Sequence, residues 1–277
     1  MKITGIDTFL VEVGRRNLCF VKVSTDEGLT GVGEAYSVGP DEATASAVGY
    51  FCDWLVGLDP LDIEGIWQRV YLGSRFPGGS VILSALSGID HALWDIKGQA
   101  YGVPVYQLLG GKCRDRIRVY QNPGGSSPEE TLENALALRE RYGFTAFKTN
   151  PLPPNEHTLA WPRVLDLVEN KMRLLREGLG PDVEIALDPH AKILEPAKAL
   201  DVCRAVAPYH PMFVEEPLRP ENVEALAQVR AKSPVPIATG EMLYTKWEFR
   251  DLLRARAADI VQPDICCCGG ITEMKKI

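Results

Sequence analysis

No run of about 18 apolar residues occurs in this 277-residue chain, so no segment reads as a membrane-spanning helix. Nor does an apolar signal-peptide segment follow Met1-Lys2, and a cytoplasmic protein is expected. Cys-x-x-Cys pairs are absent as well. The seven cysteines are odd in number and scattered apart from Cys266-Cys267-Cys268, which argues against a zinc or redox centre. That triplet reads as small buried residues at the end of a strand. Positive charge is in deficit: the net charge is −7, which argues against a nucleic-acid surface. Histidine is scarce too, with only four in the chain. What remains is ordinary for a soluble globular protein: 45% hydrophobic and 24% charged residues. The length suits one large domain or two unequal ones.

The distinctive pattern lies in the second half. Four short apolar runs each end in a carboxylate: Val183 to Asp188, Met212 to Glu215, Val235 to Glu241 and Ala258 to Asp264. The steps from Asp188 to Glu215, to Glu241 and to Asp264 are 27, 26 and 23 residues. One strand, one helix and two short loops need about that length. The runs are nearly unalternated, as parallel strands covered on both faces should be. The ends of such strands converge on one face of a β/α barrel, where catalysis sits. Converging carboxylates repel unless a positive charge lies between them. An all-oxygen cage of three such carboxylates suits a hard divalent cation, Mg²⁺ first, with Mn²⁺ or Ca²⁺ as alternatives. Taken singly, each acid could equally be a helix cap or a partner in a loop ion pair.

Residues 1–115 read as a separate α+β domain. Ile3–Val13, Leu18–Ser24 and Leu29–Ala35 form an antiparallel meander, with Gly31 and Gly33 permitting close approach of another backbone. Helices are expected over Asp41–Val56, Asp62–Leu72 and Ser80–Lys97, the last with Ile82, Leu86, Ile89, Leu93 and Ile96 on one stripe and Gly98, Gly102 and Pro104 ending it. Residues 116–277 read as a partial TIM-type β/α barrel. Its strands begin at Ile117–Tyr120 and Phe144–Lys148 and continue through the four acid-ended runs. That makes six, about two strand–helix units short of a closed barrel. Open parallel edges are sticky, so a homo-oligomer is expected.

Two further residues join the acids. Lys148 ends the second strand and could bind a substrate carboxylate, or act as a base if its pKa were lowered. His190 follows Asp188 by two residues and should face the same side if the strand stays extended. His91, His157 and His210 sit in helical, loop or strand-start contexts and read as structural.

The series Lys148, Asp188, Glu215, Glu241 and Asp264 resembles the enolase superfamily, in its mandelate racemase and muconate lactonizing branch. Val214-Glu-Glu-Pro217, Thr239-Gly-Glu241, Gln262-Pro-Asp264 and Gly269-Gly-Ile271 are similar to that branch's motifs. The N-terminal meander and Ile89–Lys97 resemble its capping domain. Leu187-Asp-Pro-His190 resembles the Asp-x-His motif of the sugar-acid dehydratases, galactonate dehydratase above all.

That resemblance implies a Mg²⁺-dependent lyase acting on an aldonic or related acid sugar. Removing a proton alpha to a carboxylate builds an enediolate, which a bound divalent ion stabilises. Asp188, Glu215 and Glu241 would hold the ion, and Lys148 would neutralise the substrate carboxylate. His190 would be the general acid for a departing β-hydroxyl, and Asp264 would orient a histidine base. The product would be a 2-keto-3-deoxy acid. Racemases of the branch carry Lys-x-Lys on the second strand. Here the second position is Asn150, which favours one-base elimination and places Asn150 beside Lys148 in substrate binding. The histidine partner of Asp264 would fall beyond Ile277. The alternatives are an epimerase or cycloisomerase using the same enediolate, and a metal-binding remnant without catalysis.

Overall fold

The computed structural model describes residues 1–14, 16–36 and 39–277. By their internal contacts these residues divide into two compact units: Met1–Asp115 with Leu243–Arg250 and Pro263–Ile277, and Arg116–Met242 with Asp251–Gln262. Two later segments of the expected 116–277 domain thus group by their contacts with the first unit.

The first unit opens with β1 (Ile3–Val13), β2 (Arg16–Thr25) and β3 (Thr30–Ala35), an antiparallel sheet in the order β1-β2-β3. Alternation along β2 buries Cys19, Val21 and Val23 on one face. Helices α1 (Asp41–Leu55), α2 (Ile63–Gly73) and α3 (Ser80–Tyr101) follow, then the short α4 (Val105–Leu108). Helix α3 lies against β3 as the glycines require. A Cβ at Gly31 would collide with the Ala92 carbonyl oxygen, and one at Gly33 with that of Gly88. Leu86, Ile89, Leu93 and Ile96 are buried together with Phe51 and Trp67, each contributing roughly 1.5–3 kcal/mol of apolar burial. Gly98 does not end α3. It is buried inside the helix, where a Cβ would lie 2.9 Å from the Val103 carbonyl oxygen. Gly102 ends it instead, in the left-handed conformation at φ 67°.

One face of α3 explains why Pro263–Ile277 belongs to this unit. Ser87, Asp90, His91 and Trp94 recur at helical spacing. Ser87 Oγ accepts the Gly269 amide at 3.0 Å, and Asp90 Oδ2 accepts the Thr272 amide at 3.0 Å. His91 Nε2 lies 3.1 Å from the Ile265 carbonyl oxygen, and Trp94 Nε1 donates to Thr272 Oγ1 at 2.9 Å.

Asp90 is 1% exposed, and its Oδ1 has no hydrogen-bond partner among the described residues. Burial pushes its carboxyl up to about 7, against the pull of its bonds to Thr272 and Ile271. The folded chain therefore holds this proton more tightly than the unfolded one. Its stabilising contribution is complete below pH about 4 and is lost as pH rises through about 7. Between pH 5 and 8 the urea-unfolding free energy is expected to fall by roughly 2–3 kcal/mol more in the wild type than in Asp90→Asn. Equal falls in the two proteins would remove Asp90 as the titrating group.

In the second unit, α5 (Pro128–Tyr142) starts where Ser127 Oγ accepts the Glu130 amide and stops at Gly143. Next come β4 (Ala146–Thr149), α6 (Trp161–Leu179), β5 (Glu184–Leu187), α7 (Pro196–Val206), β6 (Val214–Glu215), α8 (Val223–Lys232) and β7 (Ile237–Thr239). Helix α9 (Thr245–Ala255) leads to β8 (Ile260–Val261), and α10 (Gly270–Met274) belongs to the first unit. Strands β4 to β8 form one parallel sheet in sequential order. Lys148 pairs with Ala186, Leu187 with Val214, Glu215 with Ala238 and Thr239 with Val261, so the carboxyl ends of the strands line one rim.

Among the described residues the parallel sheet has five strands where six were expected. Ile117–Tyr120 is not a strand: Ile117 is 76% and Val119 59% exposed. Only Gln121 pairs, through a parallel bridge to Phe147. Alternating apolar residues are not enough to make a strand where the neighbouring backbone is reached at one position only. No helix among the described residues is long and apolar enough to cross a membrane.

Candidate active site

The rim of the parallel sheet gathers Lys148 from β4, Asp188 from the end of β5 and Glu215 from β6. Lys148 Nζ lies 2.7 Å from Asp188 Oδ2 and 2.8 Å from Glu215 Oε1. Both acids are buried, at 1% and 2% exposure. The ammonium also lies 5.8 Å from the centroid of the Tyr120 ring. Burial works against the charge on Lys148, but its hydrogen bonds to Asp188 and Glu215 outweigh it and hold the amine above the usual lysine range. Lys148 is thus held here as a cation, a state suited to neutralising a carboxylate. Burial and the nearby Asp188 charge raise Glu215, with Lys148 opposing them.

His190 reaches Asp188 by a different route from the one expected. Strand β5 stops at Leu187, and His190 is left-handed at φ 54°. The extended alternation therefore fails. A turn replaces it: the His190 amide donates to Asp188 Oδ1 at 2.9 Å, and the ring's Nε2 lies 3.1 Å from Asp188 Oδ2. The imidazole is half-exposed. Its Nδ1 lies 3.4 Å from Asn150 Nδ2, while Asn150 Oδ1 accepts the Leu152 amide. Asn150 and His190 are therefore neighbours at the rim.

Among the described residues, no three His, Cys, Asp or Glu side chains stand together as a ready cation cage. Of the three acids expected to converge, Asp188 and Glu215 are bridged by Lys148. Glu241 lies on the exposed turn after β7. Asp264 groups with the first unit. Its Oδ1 accepts the Cys266 amide at 2.7 Å, and its backbone oxygen accepts those of Cys267 and Cys268.

Three rim residues escaped the sequence reading of the site. Gln262 Nε2 donates to Glu215 Oε2 at 3.1 Å and lies 3.4 Å from the Tyr120 hydroxyl. Glu216 is fully buried. The motifs Val214–Pro217 and Gln262–Asp264 contained two of the three residues, but no pattern in them marks which atoms meet.

A family model described as the mandelate racemase / muconate lactonizing enzyme N-terminal domain matches residues 4–110. A second, described as enolase C-terminal domain-like, matches residues 130–277. The chain belongs to the mandelate racemase/muconate lactonizing enzyme family. Its similarity to members of that family extends over the full chain. A D-galactonate dehydratase from Ralstonia nicotianae is 40% identical over all of this chain and 71% of the relative. Another from Klebsiella pneumoniae is 38% identical with the same coverage. Among solved structures of the enolase fold, an enolase from Agrobacterium radiobacter bound to Na and L-malate matches all of the chain and 70% of its own. It has a TM-score of 0.95 and 42% identity. The 3,6-anhydro-D-galactonate cycloisomerase from Zobellia galactanivorans matches with a TM-score of 0.90 and 32% identity, over all of the chain and 76% of its own.

Proposed function

We propose that this chain is a sugar-acid dehydratase, a hydro-lyase that removes water from an aldonic or related acid sugar to give a 2-keto-3-deoxy acid. The observation that carries this reading is the Lys148–Asp188–His190 cluster, with Asn150 where a second lysine would serve a racemase. The full-length similarity to D-galactonate dehydratases supports it. The cycloisomerase neighbour keeps a second outcome of the same enediolate in view.

The residues fit a hard divalent cation, Mg²⁺ by preference. Asp188 Oδ2 and Glu215 Oε1 already aim at one positive charge at short range. The donor set is all carboxylate oxygen, and Glu241 lies on the turn that follows the next strand of the rim. Asp188, Glu215 and Glu241 would hold the ion. When bound, such an ion stabilises negative charge developing on a substrate carboxylate.

The chain's own groups do the rest. Lys148, held as a cation, pairs with a substrate carboxylate and fixes its position. Asn150 offers amide donors and acceptors to the neighbouring hydroxyls. His190, half-exposed and steadied by Asp188, delivers a proton to the departing β-hydroxyl. Asp264 is assigned the orienting of an imidazole base.

The test is a screen of aldonates and aldarates for release of 2-keto acid, with Mg²⁺ and with EDTA. Turnover of at least one sugar acid that stops on chelation is expected. Release of an epimer or lactone without 2-keto acid would overturn the dehydratase reading, and turnover that survives chelation would overturn the cation.

A further inference from the structure

Glu216 breaks several ordinary rules at once. It is fully buried, and its φ is 40°, the left-handed region that residues with a Cβ rarely adopt. Such a backbone is strained for a residue with a side chain. A carboxyl sealed from water is also expensive unless hydrogen bonds satisfy it. Only Oε1 is satisfied here, by the Gly240 amide at 2.8 Å. Oε2 has no hydrogen-bond partner among the described residues. The Thr239 hydroxyl lies near enough to influence the carboxyl but outside hydrogen-bond geometry. Rules broken together at one position point to function more than to packing.

The contacts of Glu216 show what the strain achieves. Its amide donates to the Ala238 carbonyl at 2.9 Å, and its carbonyl accepts the Ala191 amide at 3.0 Å. Its side chain accepts the amide of Gly240, the residue just before Glu241. One residue thus joins the turn that carries His190, the strand that carries Glu215 and the turn that carries Glu241. Gly240 itself, at φ 136°, sits where other residues are strained. Its amide points inward to the carboxylate, so the direction of the next side chain depends on that bond.

We propose that Glu216 is a positioning residue that sets where Glu241 and His190 stand relative to Asp188 and Glu215, and so governs assembly of the cation site. The inference rests on the reading of Asp188, Glu215 and Glu241 as the cation's ligands. Glu216 touches neither ion nor substrate in this scheme. It acts through the Gly240 and Ala191 amides, as groups behind a metal's direct ligands do.

Mn²⁺ serves as the probe, with binding followed by electron paramagnetic resonance and calorimetry, and folding by circular dichroism. Glu216→Ala is expected to weaken Mn²⁺ binding about 10–100-fold with the fold retained. Glu216→Gln, whose amide oxygen can still accept from Gly240, is expected to keep the wild-type affinity. Should the alanine variant fail to fold, Glu216→Asp carries the test. It keeps the charge, is one methylene too short to reach Gly240, and should weaken binding likewise. Wild-type affinity in the folded alanine or aspartate variant, or a glutamine variant as weak as the alanine one, overturns the inference alone. A wild type that takes up no Mn²⁺, or Asp188→Asn that binds as the wild type does, overturns the ligand assignment and this inference with it.

Discussion

Water elimination is expected to fall about 10²–10⁴-fold in His190→Asn, the usual loss when a general acid is removed. Exchange of the α-proton with solvent deuterium should persist, because abstraction and protonation of the leaving group use different residues. Cation binding should persist as well. Asparagine keeps a polar side chain near Asp188 but has no proton to give near neutral pH. The geometry behind this is specific. The ring's Nε2 lies 3.1 Å from Asp188 Oδ2, and the side chain is 49% exposed, so one edge is anchored while the ring stays open to a ligand. Proton NMR in D₂O and a 2-keto acid assay, run on one sample, separate the two steps. Unchanged elimination, or the joint loss of exchange and elimination, would remove His190 from the role of acid.

Lys148→Ala should have the largest effect on the stability of the metal-free protein. The lysine side chain is 16% exposed, and its partners are at 1% and 3%. Removing the ammonium leaves two buried carboxylates facing one another. Losing one partner of a buried pair costs about 3–5 kcal/mol. The pH dependence follows from the signs. The contribution of Lys148 is complete below the ordinary lysine pKa and is lost only as pH rises through its raised folded value. Wild-type stability should therefore show no loss from this group across pH 6–9. In the variant, Glu215 loses the ammonium that opposes its upward shift, so stability should fall as pH rises above the usual carboxylate range. Mg²⁺ should raise the melting temperature of the variant more than that of the wild type, since the ion then supplies the missing charge. Differential scanning calorimetry over a pH series checks all three expectations. A variant as stable as the wild type, with no steeper pH slope, would show that the Lys148 bridge contributes nothing.

The sequence by itself determined the repeating scheme. Apolar runs closed by acids at 188, 215 and 241 follow from strand and helix lengths, which are local properties of the chain. It determined two helices closely: α1 and α2, expected over Asp41–Val56 and Asp62–Leu72, run over Asp41–Leu55 and Ile63–Gly73, because helical periodicity is a local property. It determined that a backbone would lie against Gly31 and Gly33, although not which one. The tertiary structure alone decided which side chains meet. The missing strand at Ile117–Tyr120, the two-residue strands β6 and β8, and the attachment of Pro263–Ile277 to the face of α3 all depend on distant segments arriving at hydrogen-bonding distance. The turn that brings His190 back to Asp188 depends on backbone angles that its own residue type disfavours. So does the burial of Glu216 behind the rim. Charge worked in the same way: the acids were visible in the chain, but only the folded rim set one ammonium between two of them and left Glu241 on the exposed turn. Local patterns fix the elements because their energies come from neighbours in sequence, whereas the site is fixed by Coulomb and hydrogen-bond terms between groups 40 and 67 positions apart in the chain.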